Sequence, residues 1–149
     1  MTLALYPDGE LVEMEGKLTS ACSCNTVEIT INEQPFTEFV CHCNDCKQFT
    51  NQDSATITFF NTPSVIITGQ TKDYTVTAKS GSTVTRKACA KCNTALINAT
   101  SRFPQLIGVL SNTINPPFVS HPASHVWVCQ KSKNVSIPSN VQQYEEGLV

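Results

Sequence analysis

The chain has 149 residues, a formal net charge of −2 and a pI of about 5.9. Its length predicts one domain with a buried hydrophobic core. Its basic residues are scattered, which argues against the basic face that nucleic-acid binding requires. The sequence contains no signal-peptide pattern and no apolar segment long enough to cross a membrane. We therefore expect a cytoplasmic protein without a nucleic-acid or membrane partner, and the sequence leaves its oligomeric state open.

Short segments rich in Val, Ile, Thr and Phe follow one another along the chain, and many alternate between apolar and polar residues. Alternation with a period of two is typical of strands that are buried on one face. The predicted strands, in chain order, are residues 26–31, 36–41, 55–60, 64–68, 74–78, 82–87, 106–110 and 125–129. Helical patterns are scarce, so the sequence predicts an all-β fold of antiparallel sheets.

Three local features complete this prediction. Residues 1–17 are expected to form an N-terminal arm or an added edge strand, and residues 18–149 a single domain. Gly81, which lies between two serines, predicts a hairpin turn because glycine readily adopts a positive φ. Asn44 and Asp45 are expected to cap one short helical turn that follows Cys43.

Most of the cysteines are clustered, and their spacing indicates metal binding. Seven of the 8 lie in three motifs: Cys22-x-Cys24, Cys41-His42-Cys43-x-x-Cys46 and Cys89-x-x-Cys92. Thiolates two or three residues apart have the local geometry for holding one soft metal ion. The first and third motifs together supply four ligands, which would close one site, and the middle motif supplies three, which leaves a position open for chemistry.

Other interpretations of the cysteines are weaker. A disulfide framework is disfavoured because a cytosolic chain keeps its thiols reduced and because a Cys-x-Cys pair joins poorly. The middle motif could instead be a second closed site with a fourth protein ligand. The candidates for that ligand are His42, Asp45, His121, His125 and Cys129. We expect His42 to point away from the cysteines, Cys129 to be buried as a small apolar residue, and Trp127 to lie in the core.

The ordered set of motifs resembles the glutathione-dependent formaldehyde-activating enzyme family over roughly residues 18–147. The resemblance is carried by Cys22-x-Cys24-x-x-Val27, Cys41-His42-Cys43-x-x-Cys46-Lys47, Cys89-x-x-Cys92, His125-Val126-Trp127-Val128, Ile137-Pro138 and Tyr144-Glu145-Glu146-Gly147. The chain departs from the family at Asn25 and Asn93, where glycine is usual, and in its longer N-terminal arm.

The resemblance implies an Mss4-like zinc domain over residues 18–149, with antiparallel sheets and zinc sites at strand ends. It implies a structural zinc ion on Cys22, Cys24, Cys89 and Cys92, and a second, catalytic-type zinc ion on Cys41, Cys43 and Cys46. Family members are carbon–sulfur lyases that handle the adduct of glutathione with formaldehyde. The implied partner is therefore a small-molecule substrate such as S-hydroxymethylglutathione.

Two alternatives to this function stay open at the level of sequence. One is a related lyase or isomerase that acts on another small molecule without glutathione. The other is a non-catalytic zinc module that binds a protein partner. A cavity beside the second metal site would favour an enzyme, whereas an apolar surface patch without a cavity would favour the module.

Overall fold

A computed structural model of the chain describes residues 2–5, 11–14 and 17–147. The strands are β1 (Thr2–Leu5), β2 (Leu11–Met14), β3 (Leu18–Ala21), β4 (Glu28–Ile31), β5 (Thr37–Cys41), β6 (Ala55–Asn61), β7 (Val65–Thr68), β8 (Thr71–Thr77), β9 (Thr83–Cys89), β10 (Ala95–Thr100), β11 (Leu106–Leu110), β12 (Ser124–Val126) and β13 (Gln142–Gln143). Helix α1 spans Asn44–Thr50, and 3₁₀ turns span Thr62–Ser64, Ser111–Thr113 and Val128–Gln130. The predicted all-β class is confirmed. None of the helices in the described part of the chain has the length and apolar character that a membrane crossing requires.

The strands form one large sheet and two small ones. The large sheet has eight strands in the order β13-β12-β5-β6-β11-β10-β9-β8, and a second sheet has the order β3-β4-β7. Neighbouring strands are antiparallel except that β12 runs parallel to both β5 and β13. Strands β1 and β2 pair with each other in a two-stranded sheet. The rest of the predicted arm lies outside the described residues, and the division at residues 17 and 18 stays a prediction.

Two clusters of buried side chains lie on opposite faces of the large sheet, because alternate residues of a strand point to opposite faces. On β6, Phe60 belongs to the cluster that packs between the two larger sheets, together with Ile29 of β4. Ile57, three residues earlier on the same strand, belongs to the other cluster, which includes Cys41 and Cys46. The face that carries Ile57 is therefore the one that reaches the middle cysteine motif.

Most predicted strands are confirmed to within a few residues, and the exceptions have identifiable causes. Strands β3, β10 and β13 were not predicted. Strand β10 has a register shift between Ala95 and Ile97, which breaks the alternation that marks a strand, and β3 and β13 have only four and two residues. The strand predicted over residues 125–129 ends at Val126, since Trp127 adopts a left-handed backbone with φ 56°. The prediction that Cys129 is buried is wrong: the 3₁₀ turn after Trp127 leaves it exposed.

The predicted hairpin turn is confirmed, whereas the predicted helical turn differs in its length and its N-cap. Gly81, with φ 90°, closes the hairpin between β8 and β9, as predicted. The helix is longer than one turn, and its N-cap is Cys43 instead of Asn44 or Asp45. Cys43 takes this position because its sulfur atom accepts a hydrogen bond from the backbone N–H of Cys46.

Glu38 on β5 connects the large sheet to the segment that leads into β12. Its side chain is buried and accepts hydrogen bonds from the hydroxyl of Ser120 at 2.6 Å and from the backbone N–H of His121. Its backbone carbonyl accepts the N–H of Ala123 at 2.8 Å. These contacts hold β12 beside β5, the strand that ends in the middle cysteine motif.

We expect Glu38→Gln to lower the free energy of unfolding by about 1–3 kcal/mol, because an amide nitrogen cannot accept a hydrogen bond from a buried donor. The matched control is Glu28→Gln on the exposed face of β4, which should change stability by less than about 0.5 kcal/mol. Urea denaturation measures both. Equal stabilities for the two variants would contradict the role of Glu38.

Candidate functional site

Four cysteines form the first group. The sulfur atoms of Cys22, Cys24, Cys89 and Cys92 all lie within 4.8 Å of one another. Cys22 follows β3 of the three-stranded sheet, and Cys89 is the last residue of β9 in the eight-stranded sheet. The group therefore joins the two sheets, and any ion that it holds would cross-link distant parts of the chain.

The backbone around this group has the conformation expected of zinc-binding turns. Asn25 and Asn93, which follow the second cysteine of each pair, have φ values of 61° and 63°. Asparagine tolerates this left-handed region better than most residues other than glycine. The sulfur atom of Cys89 accepts the backbone N–H groups of Lys91 and Cys92, each at 3.4 Å.

Hydrogen bonds also favour the ionised form of thiols in this group. The backbone N–H of Val27 donates to the sulfur of Cys22 at 3.2 Å. Hydrogen bonds from Ser23 and Thr94 lower the pKa of Cys92 to about 4. Because a metal ion binds thiolates and not thiols, these donors prepare the group for a soft cation such as zinc.

Three cysteines form the second group, whose sulfur atoms also lie within 4.8 Å of one another. Cys41 ends β5, Cys43 caps α1, and Cys46 lies in the first turn of that helix. The N–H of Cys46 donates to the sulfur of Cys43 at 3.3 Å. Hydrogen bonds from the thiols of Cys41 and Cys46 hold the pKa of Cys43 far below its usual range. A strand end and a helix start thus place three sulfur donors around one point.

The structure brings none of the candidate fourth ligands into this group. Those candidates were His42, Asp45, His121, His125 and Cys129. Within residues 17–147, the group that can hold an ion here consists of the three cysteines alone. His42 is buried and its Nε2 atom lies 2.8 Å from Nδ1 of His125, with the two rings stacked. The three-sulfur group therefore has a free position.

A cavity of about 590 Å³ opens beside the second group. Cys41, Cys43 and Cys46 line it, whereas no cysteine of the first group does. Its walls are mainly apolar and aromatic, with contributions from Phe39 and Phe59, whose rings meet edge to face at 4.9 Å. Concave, largely apolar cavities with a few polar groups are the usual form of small-molecule sites.

Three residues that line the cavity were not singled out as site residues from the sequence. Trp127 is partly exposed to the cavity, because its left-handed backbone turns the chain away from the strand. Arg86 on β9 places Nη2 at 3.7 Å from the sulfur of Cys46, and Asn98 on β10 places Nδ2 at 3.9 Å from the same atom. No motif in the sequence marks Arg86 or Asn98, because their meeting with Cys46 depends on strand pairing.

Comparison with known proteins agrees with this geometry. The model of the family described as "Glutathione-dependent formaldehyde-activating enzyme" matches residues 17–130. A similar solved structure is the crystal structure of a Rhodobacter sphaeroides protein, with 16% identity and a TM-score of 0.52 over 66% of this chain and 91% of that chain. At this identity the likeness shows a shared fold. The curated proteins include no match.

The family model covers most of the chain, and its matched range contains both groups of cysteines. The structure accounts for the match, since all three cysteine motifs contribute to one of two compact sets of sulfur atoms. The chain belongs to the glutathione-dependent formaldehyde-activating enzyme family.

Proposed function

We propose that this chain is a zinc-dependent carbon–sulfur lyase that forms or cleaves the adduct of a thiol with an aldehyde, such as S-hydroxymethylglutathione. The observation that carries the proposal is the cavity of about 590 Å³ that reaches the three-cysteine group and not the four-cysteine group. A closed set of four ligands suits a structural ion, and an open set of three beside a cavity suits a catalytic one. No comparable observation favours the alternative of a non-catalytic zinc module that binds a protein partner.

The two groups of cysteines would hold two zinc ions. Cys22, Cys24, Cys89 and Cys92 would bind the structural ion, and Cys41, Cys43 and Cys46 the second ion. Their all-sulfur donor sets and N–H···S hydrogen bonds fit zinc. When bound at the open group, zinc supplies a positive charge that favours the ionised form of a substrate thiol.

The residues of the chain itself provide the surroundings for this reaction. The aromatic walls around Phe39 and Phe59 offer an apolar surface beside the cysteines, from which a bound substrate would displace water. Arg102 lines the cavity and is exposed, so it can meet a carboxylate of a charged thiol such as glutathione, whereas Lys79 is paired with Glu146 at 2.8 Å. The free thiols of all eight cysteines fit a reducing compartment such as the cytoplasm.

A second candidate function is the same chemistry, or a related isomerisation, on a small molecule without glutathione. The apolar and aromatic character of most of the cavity lining favours this candidate, because glutathione is highly polar. The two candidates differ in whether the exposed cations near the cavity contribute to substrate binding.

The division of roles between the two groups predicts that stability and activity separate. Cys89→Ser is expected to lower stability by roughly 3 kcal/mol, or about 10 °C in melting temperature, because its group joins the two sheets. Cys46→Ser should abolish cleavage of S-hydroxymethylglutathione with a much smaller loss of stability, since its group closes only a short loop. Melting temperature, zinc content and turnover are measured for both variants. If Cys46→Ser unfolds the protein as severely as Cys89→Ser, the second group is structural.

If the substrate contains glutathione, its carboxylates should make binding depend on a cation at the cavity. Arg102 lies over the ring of Phe103, with 5.8 Å between its Cζ and the ring centre. Arg102→Gln is expected to raise KM for S-hydroxymethylglutathione about fivefold, and to leave KM for the formaldehyde adduct of uncharged 2-mercaptoethanol unchanged. Lys133→Gln, at an exposed cation outside the cavity lining, is the matched control. An equal effect of Arg102→Gln on both adducts would favour the candidate without glutathione.

A further inference from the structure

Arg86 is a buried cation whose charge has no carboxylate partner. Its residue exposure is 8%, and its Nε atom is buried without a hydrogen-bond acceptor. The ion pairs found among the described residues are Lys79–Glu146 and Lys87–Asp73, and neither involves Arg86. Burying a guanidinium without a carboxylate partner is costly, and Arg86 also lines the cavity, so a negatively charged or strongly polar ligand group there would stabilise this arrangement.

Asn98 stands beside Arg86 as its cross-strand partner on β10, and both side chains line the cavity. Their nitrogen atoms lie 3.7 Å and 3.9 Å from the sulfur of Cys46. Both separations are longer than the 3.3 Å and 3.4 Å at which backbone N–H groups donate to the sulfur atoms of Cys43 and Cys89. The two side chains thus direct donors toward the cavity beside the open cysteine group, and these weak contacts with sulfur leave the donors available to a ligand.

We propose that Arg86 and Asn98 form a binding site for a substrate oxygen, namely the oxygen on the carbon that is joined to the reacting sulfur. This inference rests on the proposed function and specifies how that reaction is oriented. The site would take ligands that carry a sulfur atom and, within two or three bonds of it, an oxygen atom with full or partial negative charge. A planar guanidinium beside an amide is well suited to such an oxygen.

The role of this site follows from the movement of electrons in the reaction. On cleavage, the hydroxyl of the adduct gives its proton to water, and negative charge develops on the oxygen. The carbon–sulfur bond then breaks, its electron pair stays on the sulfur, and the oxygen becomes the carbonyl oxygen of the aldehyde. Addition is the reverse, with the oxygen taking a proton from water. Donors fixed beside the oxygen stabilise the charge that develops there.

The test compares two thiols that differ in their oxygen atoms. Mercaptoacetate carries a carboxylate next to its CH₂–SH group, and 2-methylpropane-1-thiol has an isopropyl group of similar shape in that place. Calorimetry measures the Kd of each thiol for the zinc-loaded protein and for its Arg86→Met variant. We expect the ratio of the two Kd values to favour mercaptoacetate in the unaltered protein, and Arg86→Met to reduce that preference about tenfold or more. Asn98→Leu should reduce it less.

Two controls keep this test decisive. Lys87→Met removes a cation from the adjacent position on the opposite face of β9, and it should leave the preference for mercaptoacetate unchanged. Zinc content is measured for every variant. If Arg86→Met binds one zinc ion fewer, or weakens both thiols equally, Arg86 serves only as a counter-ion to the cysteines and the proposal is wrong. An unchanged preference in Arg86→Met also overturns it.

The outcome is separable from that of the proposed function. If mercaptoacetate is preferred through Arg86 but S-hydroxymethylglutathione is not cleaved, the oxygen site stands and the lyase function fails. If the adduct is cleaved and Arg86→Met leaves turnover and the thiol preference unchanged, the lyase function stands and the oxygen site fails.

Discussion

The crowding of sulfur atoms is the constraint on which the rest of this structure depends. Each group places its sulfur atoms within 4.8 Å of one another, and all of these cysteines except the exposed Cys24 are partly or fully buried. Thiolates at this spacing repel one another strongly unless they share a cation. Backbone N–H groups near Cys22, Cys43 and Cys89 relieve part of that repulsion by donating to sulfur. The donors lie in the turns and the helix start that adjoin the strands, so these segments position both the sulfur atoms and the groups that donate to them.

The two groups differ because they lie on different faces of the large sheet. Cys22 and Cys89 belong to the core between the two larger sheets, where the chain fills the surrounding space with side chains. Cys41 and Cys46 belong to the core on the opposite face, where the cavity remains beside them. The same pleat that separates the faces of β6 thus separates a group whose Cys22 and Cys89 are buried between the sheets from a group that lines a cavity.

The sequence was sufficient for the features that local chemistry determines. The alternating strands, the hairpin turn at Gly81 and the grouping of the cysteines depend on residue type and spacing, and all three were predicted. The features it could not supply depend on contacts between distant segments. Arg86 and Asn98 meet Cys46 only because β9 and β10 pair in one particular register, which no residue pattern specifies.

The charge on Arg86 would allow an apolar cavity to serve the proposed chemistry at sulfur. Three thiolates around one divalent ion would leave a single negative charge, and a guanidinium beside Cys46 would offset it. The front of the site would then be close to neutral before a ligand enters, so aromatic walls around it need not solvate a net charge. An adduct of a thiol with an aldehyde is itself uncharged at the reacting carbon. Negative charge would develop on oxygen only as the carbon–sulfur bond changes, beside the guanidinium of Arg86, whose Nη2 atom has only a long contact with the sulfur of Cys46.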